Sequence, residues 1–265
     1  MRQSAGPSRQ RLDQRLVSEG LAASRTLAEA LIRSGRVLVD DLPVEKPGSR
    51  VARAAQIRIR GEDRRFVSRG GEKLAGALAD LPCNPAGRCC LDVGASTGGF
   101  TDCLLQAGAR HVVAVDVGYG QLDSRLRDDP RVSVRERINA RQLQQSDLPH
   151  QPQLVTVDVS FISVRLLLPR LAQLAPEAEL LVMVKPQFEV GRGRVGKGGV
   201  VRNDALRREA VESVKTAAAE LGYETLGEAE SRLSGPKGNR EVFVLLRPRG
   251  KAPAPLGSPQ GGAGR

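Results

Sequence analysis

Residues 90 to 101, Cys-Leu-Asp-Val-Gly-Ala-Ser-Thr-Gly-Gly-Phe-Thr, run a short apolar strand through Asp92 into a glycine-rich turn and the start of a helix. A second acid, Asp116, follows the apolar stretch His111 to Val115. An acid two residues before the first glycine, and another at the end of the next strand, suit a ligand with an amino-acid end and a ribose. S-adenosylmethionine has both, and its chemistry is methyl transfer. The positions assigned to it are Asp92, Gly94, Ala95, Ser96, Thr97, Gly98, Gly99, Phe100, Asp116, Val117 and Asp158. Gly94 to Gly99 are expected at its amino-acid end and Asp116 at its ribose. A dinucleotide enzyme is a poorer reading, because G-x-G-x-x-G requires glycine where this chain has Ser96.

Four further charged residues are placed to do chemistry. Asp158 ends the run Leu154 to Val157, and Lys185 ends Leu180 to Val184 and precedes Pro186. Glu241 begins the last apolar strand, and Lys73 sits on a helix leading into the sheet. In a doubly wound sheet, ligands bind outside the carboxyl ends of the strands, where these residues could converge. Taken singly, Asp158 reads equally well as a helix cap and Glu241 as a surface charge. Lys185 resists such a reading, because a charge continuing five apolar residues is seldom buried without a purpose.

Other patterns carry less. Gly191 to Gly198 matches G-x-x-x-x-G-K but has Gly198 where a P-loop needs Ser or Thr for magnesium. It reads as a cationic loop beside Lys185 that closes over RNA or cofactor, or as a solvated connection. Cys83, Cys89, Cys90 and Cys103 lack C-x-x-C spacing, so neither a metal site nor a disulfide is expected. His111 reads as structural and His150 as loop.

The elements that must hold these residues follow from periodicity. Residues 11 to 35 read as two short helices with Leu12, Leu16, Leu27, Leu31 and Ile32 facing inward, and Thr26 and Glu29 have capping-box spacing. Short strands at 37 to 39 and 57 to 59 make this a compact α+β module. Residues 61 to 69 read as a polar linker. Beyond it, helix 72–81, strands at 89–93, 112–116, 131–135, 154–159 and 180–184, helix 204–221 and strands at 223–229 and 240–246 alternate as a seven-stranded, mostly parallel α/β sheet. The expected domains are 9–68, 69–248 and a disordered tail, 249–265, rich in Pro, Gly, Ala and Ser.

The chain has 265 residues and a net charge of +11, which calls for an anionic partner. Residues 1 to 60 hold 12 Lys and Arg against 6 Asp and Glu, marking that segment as a nucleic-acid arm. Only 3% of residues are aromatic and none is Trp, so phosphate contact rather than base stacking would supply affinity. No apolar run approaches the ~20 residues of a membrane span. With four unpaired cysteines and no signal segment, a cytoplasmic protein without a membrane role is expected.

The N-terminal module resembles the S4 RNA-binding domain through Arg11-Leu12-Asp13, Leu16, Gly20, Ser24-Arg25, Ala28, Leu31-Ile32, Gly35, Val37, Val39, Lys46-Pro47 and Val51. The resemblance implies that Arg11, Arg15, Arg25, Arg36 and Lys46 meet RNA phosphates. The runs Ser68 to Leu74, Leu91 to Thr101, Ala114 to Leu122, Asp158 to Ser163 and Val184 to Gly193 are similar to the TlyA (haemolysin A) family of ribosomal RNA methyltransferases. That resemblance implies a Rossmann-like, S-adenosylmethionine-dependent, FtsJ-like domain behind an S4 domain, acting on cytidine 2′-hydroxyls of 16S or 23S RNA in ribosomal subunits. It also implies a final antiparallel strand, which brings Glu241 to the same edge as the others, and a catalytic set of Lys73, Asp158, Lys185 and Glu241.

A ribose hydroxyl is a weak nucleophile and must lose its proton as it attacks a methyl sulfonium. Lys185 can act as the base only when neutral, a form favoured by a second ammonium at Lys73 and by partial desolvation, and the sequence leaves open which of the two lysines takes the proton. Asp158 and Glu241 then orient the lysines and the hydroxyl. Two rivals stand beside this reading. A membrane-lytic haemolysin needs a spanning segment or an exposed amphipathic helix, and a non-catalytic RNA-binding protein needs no intact catalytic set.

Overall fold

The computed structural model describes residues 9–22, 24–60, 65–235 and 238–250. The chain divides into two compact units after Arg64. The expected disordered tail lies outside the described residues from 251 onward, as do 61–64 of the expected linker.

In the first unit, strand β1 (Arg9–Arg11) leads directly into α1 (Leu12–Ser18), and α2 (Arg25–Arg33) packs against it. Leu12, Leu16, Ala28, Leu31 and Ile32 form the shared core with Val37, Val51 and Ile59. Ser24 caps α2 by accepting a bond from the Leu27 amide at 3.2 Å, so the cap precedes the expected Thr26 and Glu29 pair. That phase turns Leu27 outward, 45% exposed, and Ala28 inward. β2 (Val37–Val39) and β3 (Leu42–Pro43) are joined by Asp40 and Asp41 at φ 50° and 68°, the left-handed pair of a type I′ hairpin. β5 (Ile57–Ile59) completes a sheet of order β3-β2-β5, and β4 (Arg50–Ala52) pairs antiparallel with β1. Strands of two or three residues are too short to show a period, which is why β1, β3 and β4 escape the sequence.

The second unit begins with α3 (Arg69–Asp80), three residues ahead of expectation. Gly70 and Gly71 hide its first turn from any apolar period. Gly71 is needed there, because a Cβ would lie 2.3 Å from the ring of Phe66. Strands β6 (Cys89–Val93), β7 (His111–Val115), β8 (Val132–Arg135), β9 (Leu154–Val157), β10 (Glu179–Val184), β11 (Tyr223–Glu230) and β12 (Val242–Pro248) form one sheet of order β11-β12-β10-β9-β6-β7-β8. β6 to β10 are mutually parallel, and β12 runs antiparallel to both neighbours. The seven expected strands are all present. β9 ends two residues earlier than expected, so Asp158 stands just beyond its carboxyl end.

Helices cover both faces, so the central strands are apolar throughout. Leu91, Val93, Val155, Val157, Val182 and Val184 meet α6 (Leu168–Leu174) and α8 (Asp204–Glu220) on one side. Cys90, Val112, Leu154, Leu181 and Met183 meet α3 and α4 (Gly99–Gln106) on the other. Short helices α5 (Ser124–Arg127) and α7 (Pro186–Glu189) follow β7 and β10.

Candidate active site

Two clefts of about 450 Å³ each open at the carboxyl ends of β6, β7, β9 and β10, and both are lined by Asp158, Ser160 and Phe161. The first also takes in Gly94, Ser96, Asp116, Val117, Gln121 and Asn139. The second takes in Lys73, Lys185, Gln187, Phe188, Asn239 and Glu241. The shared residues make the two clefts neighbours.

In the first cleft Asp116 is held by its own turn. Its Oδ2 accepts from the Ser96 amide at 2.8 Å and its Oδ1 from the Gly118 amide at 2.6 Å. A carboxylate has about four lone-pair sites, so two remain for the hydroxyls of a ribose. Gly94 and Ser96 both have positive φ, 90° and 49°, which turns the chain sharply out of β6. The remaining acceptor sites of Asp116 fit the ribose of a nucleoside, while the amides of Gly94, Ala95, Ser96 and Gly98 are bonded within the turn and its neighbours.

Several expected cofactor residues do other work. Asp92 is fully buried and lines neither cleft; Thr101 Oγ1 donates to it at 2.7 Å and Thr156 Oγ1 at 3.2 Å. Burial pushes its carboxyl up to about 7, against the opposing bond from Thr101. It ties β6 to α4 and β9 from inside, which corrects its assignment as a ligand contact. Phe100 is likewise a core residue, 2% exposed, stacked on Phe243 at 6.0 Å between ring centroids. Ala95 is buried. Gly98 and Gly99 serve packing: a Cβ on the first would lie 2.3 Å from Leu126, and on the second 2.2 Å from the Ser68 hydroxyl. Thr97 is exposed and accepts the Asp123 amide on its carbonyl at 3.2 Å. Val117, 73% exposed, does line the cleft. Gln121, inside a family-like run but without an assigned role, and Asn139, outside every such run, line it too.

The second cleft assembles Lys73, Asp158, Lys185 and Glu241. Lys73 Nζ donates to Glu241 Oε2 at 2.5 Å, and both side chains are withdrawn from solvent. Lys185 Nζ lies 2.5 Å from Asp158 Oδ1 as an ion pair without hydrogen-bond alignment, and donates to Ser160 Oγ at 3.0 Å. Each ammonium therefore has its own carboxylate, where the sequence reading had Lys73 acting on Lys185. Glu241 Oε1 is buried with no hydrogen-bond partner among the described residues. Ser160 lay inside a family-like run but had no role; only the fold brings its hydroxyl to Lys185. Asn239 closes the wall, accepting the Val201 amide at 3.0 Å and donating to the Gly199 carbonyl at 2.8 Å.

The P-loop look-alike lies in the segment between α7 and α8. Arg194 pairs with Glu209, Gly196 bridges to Val200, and Val195 and Gly199 face the second cleft. Among the described residues no cluster of His, Cys, Asp and Glu suits a metal ion, and no helix is long and apolar enough to cross a membrane.

In the first unit the basic residues divide. Arg15 is 5% exposed and donates to the carbonyls of Ala52 at 2.6 Å and Ala55 at 2.7 Å and to Glu19 at 2.6 Å. Its guanidinium is consumed inside the module, which corrects its assignment as a phosphate contact. Arg11 and Arg25 converge on the buried Asp13, at 2.8 and 3.0 Å. The bond from Arg11 draws the Asp13 carboxyl down to about 2. Both arginines stay partly exposed, and Arg36 and Lys46 are exposed.

Residues 66–248 match the FtsJ-like methyltransferase family and residues 10–57 the S4 domain. The 16S/23S rRNA (cytidine-2′-O)-methyltransferase TlyA of Mycobacterium tuberculosis is 49% identical, over 90% of this chain and 90% of its own. Hemolysin A of Brachyspira hyodysenteriae is 37% identical, over 88% of this chain and 98% of its own. A solved structure from Streptococcus thermophilus whose name carries the word hemolysin has a TM-score of 0.70 at 37% identity, over 92% of this chain and 90% of that one. Relatives of both names are thus similar to this chain over about nine-tenths of its length. The chain belongs to the TlyA family of ribosomal RNA methyltransferases, in which an S4 domain precedes an S-adenosylmethionine-dependent, FtsJ-like domain.

Proposed function

We propose that this protein methylates the ribose 2′-hydroxyl of a cytidine in 16S or 23S ribosomal RNA, on ribosomal subunits in the cytoplasm. The observation that carries this reading is the sharing of Asp158, Ser160 and Phe161 by a cleft fitted to the methyl donor and a cleft holding two lysine–carboxylate pairs. Bound in the first cleft, S-adenosylmethionine supplies an electrophilic methyl group. Asp116 holds its ribose, and Gly94 and Ser96 form the wall beside it.

In the second cleft Lys185 first releases one ammonium proton to solvent. Its freed Nζ lone pair then takes the hydroxyl proton as the ribose oxygen bonds to the methyl group, with Asp158 and Ser160 keeping Nζ in place. Lys73, locked to Glu241, presents a fixed ammonium to the oxygen as it gains negative charge. Arg36, Lys46 and the exposed parts of Arg11 and Arg25 meet phosphates and bring the RNA to the site.

The test is transfer of a labelled methyl group to purified subunits from a strain lacking the gene, followed by mapping of 2′-O-methylcytidine. Transfer to neither subunit, or to a base instead of a ribose, would reject the reading.

A further inference from the structure

Glu189 closes α7, four residues beyond Lys185, and is 8% exposed. Its Oε1 accepts from the Val164 amide at 2.8 Å, and its Oε2 accepts from Ser163 Oγ at 2.5 Å and from Arg165 Nε at 3.2 Å. Arg165 Nη2 also reaches the Glu189 carbonyl at 3.4 Å. Burying a carboxylate is costly unless its lone pairs are met, and here three consecutive residues meet them.

Those residues end the loop that starts at Asp158. At its other end, Lys185 Nζ holds Asp158 Oδ1 at 2.5 Å and Ser160 Oγ at 3.0 Å. One short segment, 185 to 189, thus grips the loop at both ends. Between the grips stands Phe161, at φ 67° with its side chain 91% exposed. A bulky residue rarely adopts that backbone and keeps it only when its surroundings enforce it. The loop lines both clefts, whereas Glu189 lines neither.

We propose that Glu189 is a positioning residue for methyl transfer: by anchoring residues 163–165 to α7 it holds Asp158 and Ser160 against Lys185 Nζ. The proposal rests on the methyltransferase reading above. Glu189 acts only through the loop, so its loss falls on the geometry of the reacting groups. Misplacement by about 1 Å costs on the order of 100-fold in rate.

The experiment compares wild type, Glu189→Ala, Glu189→Gln, Ser160→Ala and both double variants with Ser160→Ala. Steady-state methylation of unmodified subunits is measured alongside thermal unfolding. Glu189→Ala is expected to lower kcat about 100-fold while KM for the subunits stays within about twofold. Glu189→Gln, which keeps an acceptor for the Val164 amide, should recover about tenfold of that loss. Ser160→Ala should cost less in either Glu189 variant than in wild type, because the hydroxyl is already displaced.

A folded Glu189→Gln with wild-type kcat overturns the proposal, as do Glu189 and Ser160 effects that simply multiply. If Glu189→Ala fails to fold, Glu189→Gln and its double variant decide alone. Inactive wild type on both subunits removes the methyltransferase reading itself, and this proposal with it.

Discussion

The α-carbon of Gly94 lies so close to the carbonyl of Asp158 that a Cβ on residue 94 would sit 2.4 Å from that oxygen. The ends of β6 and β9 therefore nearly touch, and the two clefts meet at Asp158. Gly94→Ala would force the strand ends apart and also strain a backbone at φ 90°. We expect a folded variant, destabilised by about 1–3 kcal/mol, with sharply weaker S-adenosylmethionine binding. Calorimetry on the folded protein checks this, and unchanged affinity would show that the strand ends yield without disturbing the site.

Asp116→Ala removes the acceptor for the Ser96 and Gly118 amides as well as the ribose contact. Hydrogen bonds to a charged group contribute about 1.5–3 kcal/mol, so cofactor affinity should fall roughly 10- to 100-fold. Titration calorimetry reads the change. Wild-type affinity in a folded variant would take the ribose away from Asp116.

Lys185→Ala is expected to reduce methylation by about 10²–10⁴-fold, the usual range for a lost general base, with cofactor and RNA still bound. Lys185→Arg should not restore it, because a guanidinium stays protonated near neutral pH. Rapid single-turnover transfer by the Arg variant would leave Lys185 an electrostatic role and move the proton to Lys73.

Asp92 sets a pH dependence of stability. Its carboxyl titrates near 7 in the fold and near 3.8 when unfolded, so between those values the folded state holds a proton that the unfolded state has released. Stability should fall as pH rises through that window, by on the order of 4 kcal/mol from this group. Asp92→Asn removes the ionisation and should flatten this part of the curve. Denaturant melts from pH 4 to 8 compare the two, and parallel curves would contradict the assignment.

The first unit separates contact from support. Arg36→Ala and Lys46→Ala should each lower the slope of log affinity for ribosomal RNA against log salt by roughly 0.7–0.9. Arg15→Ala should instead destabilise the module by about 1–3 kcal/mol for each buried partner left unpaired, since it strips donors from Ala52 and Ala55. Filter binding across a salt series and thermal unfolding distinguish the two classes. An Arg15 variant of normal stability with a flattened salt slope would return Arg15 to the RNA surface.

By itself the sequence determined the α/β architecture, the glycine turn after Asp92 and the charged residues that follow apolar runs. A strand buried on both faces must be apolar along its length, so its end, and the charge just past it, is visible in one dimension; Asp158 and Lys185 stood out for that reason. It also determined the S4-like module, whose Leu12, Leu16, Leu31 and Ile32 recur at helical spacing. Only the tertiary structure decided what each polar group faces. Asp92 and Asp116 occupy similar strand-end positions, yet Thr101 and Thr156 enclose one and the cleft opens on the other. Lys73 finds Glu241 across 168 residues, and Arg15 finds carbonyls 37 and 40 residues away. Ser160 and Glu189 carried no signal of their own, because their partners are set by how the segment after β9 meets the segment after β10. Periodicity reports which face of an element is buried, whereas the partner of a polar side chain is a long-range contact that exists only once the sheet has closed.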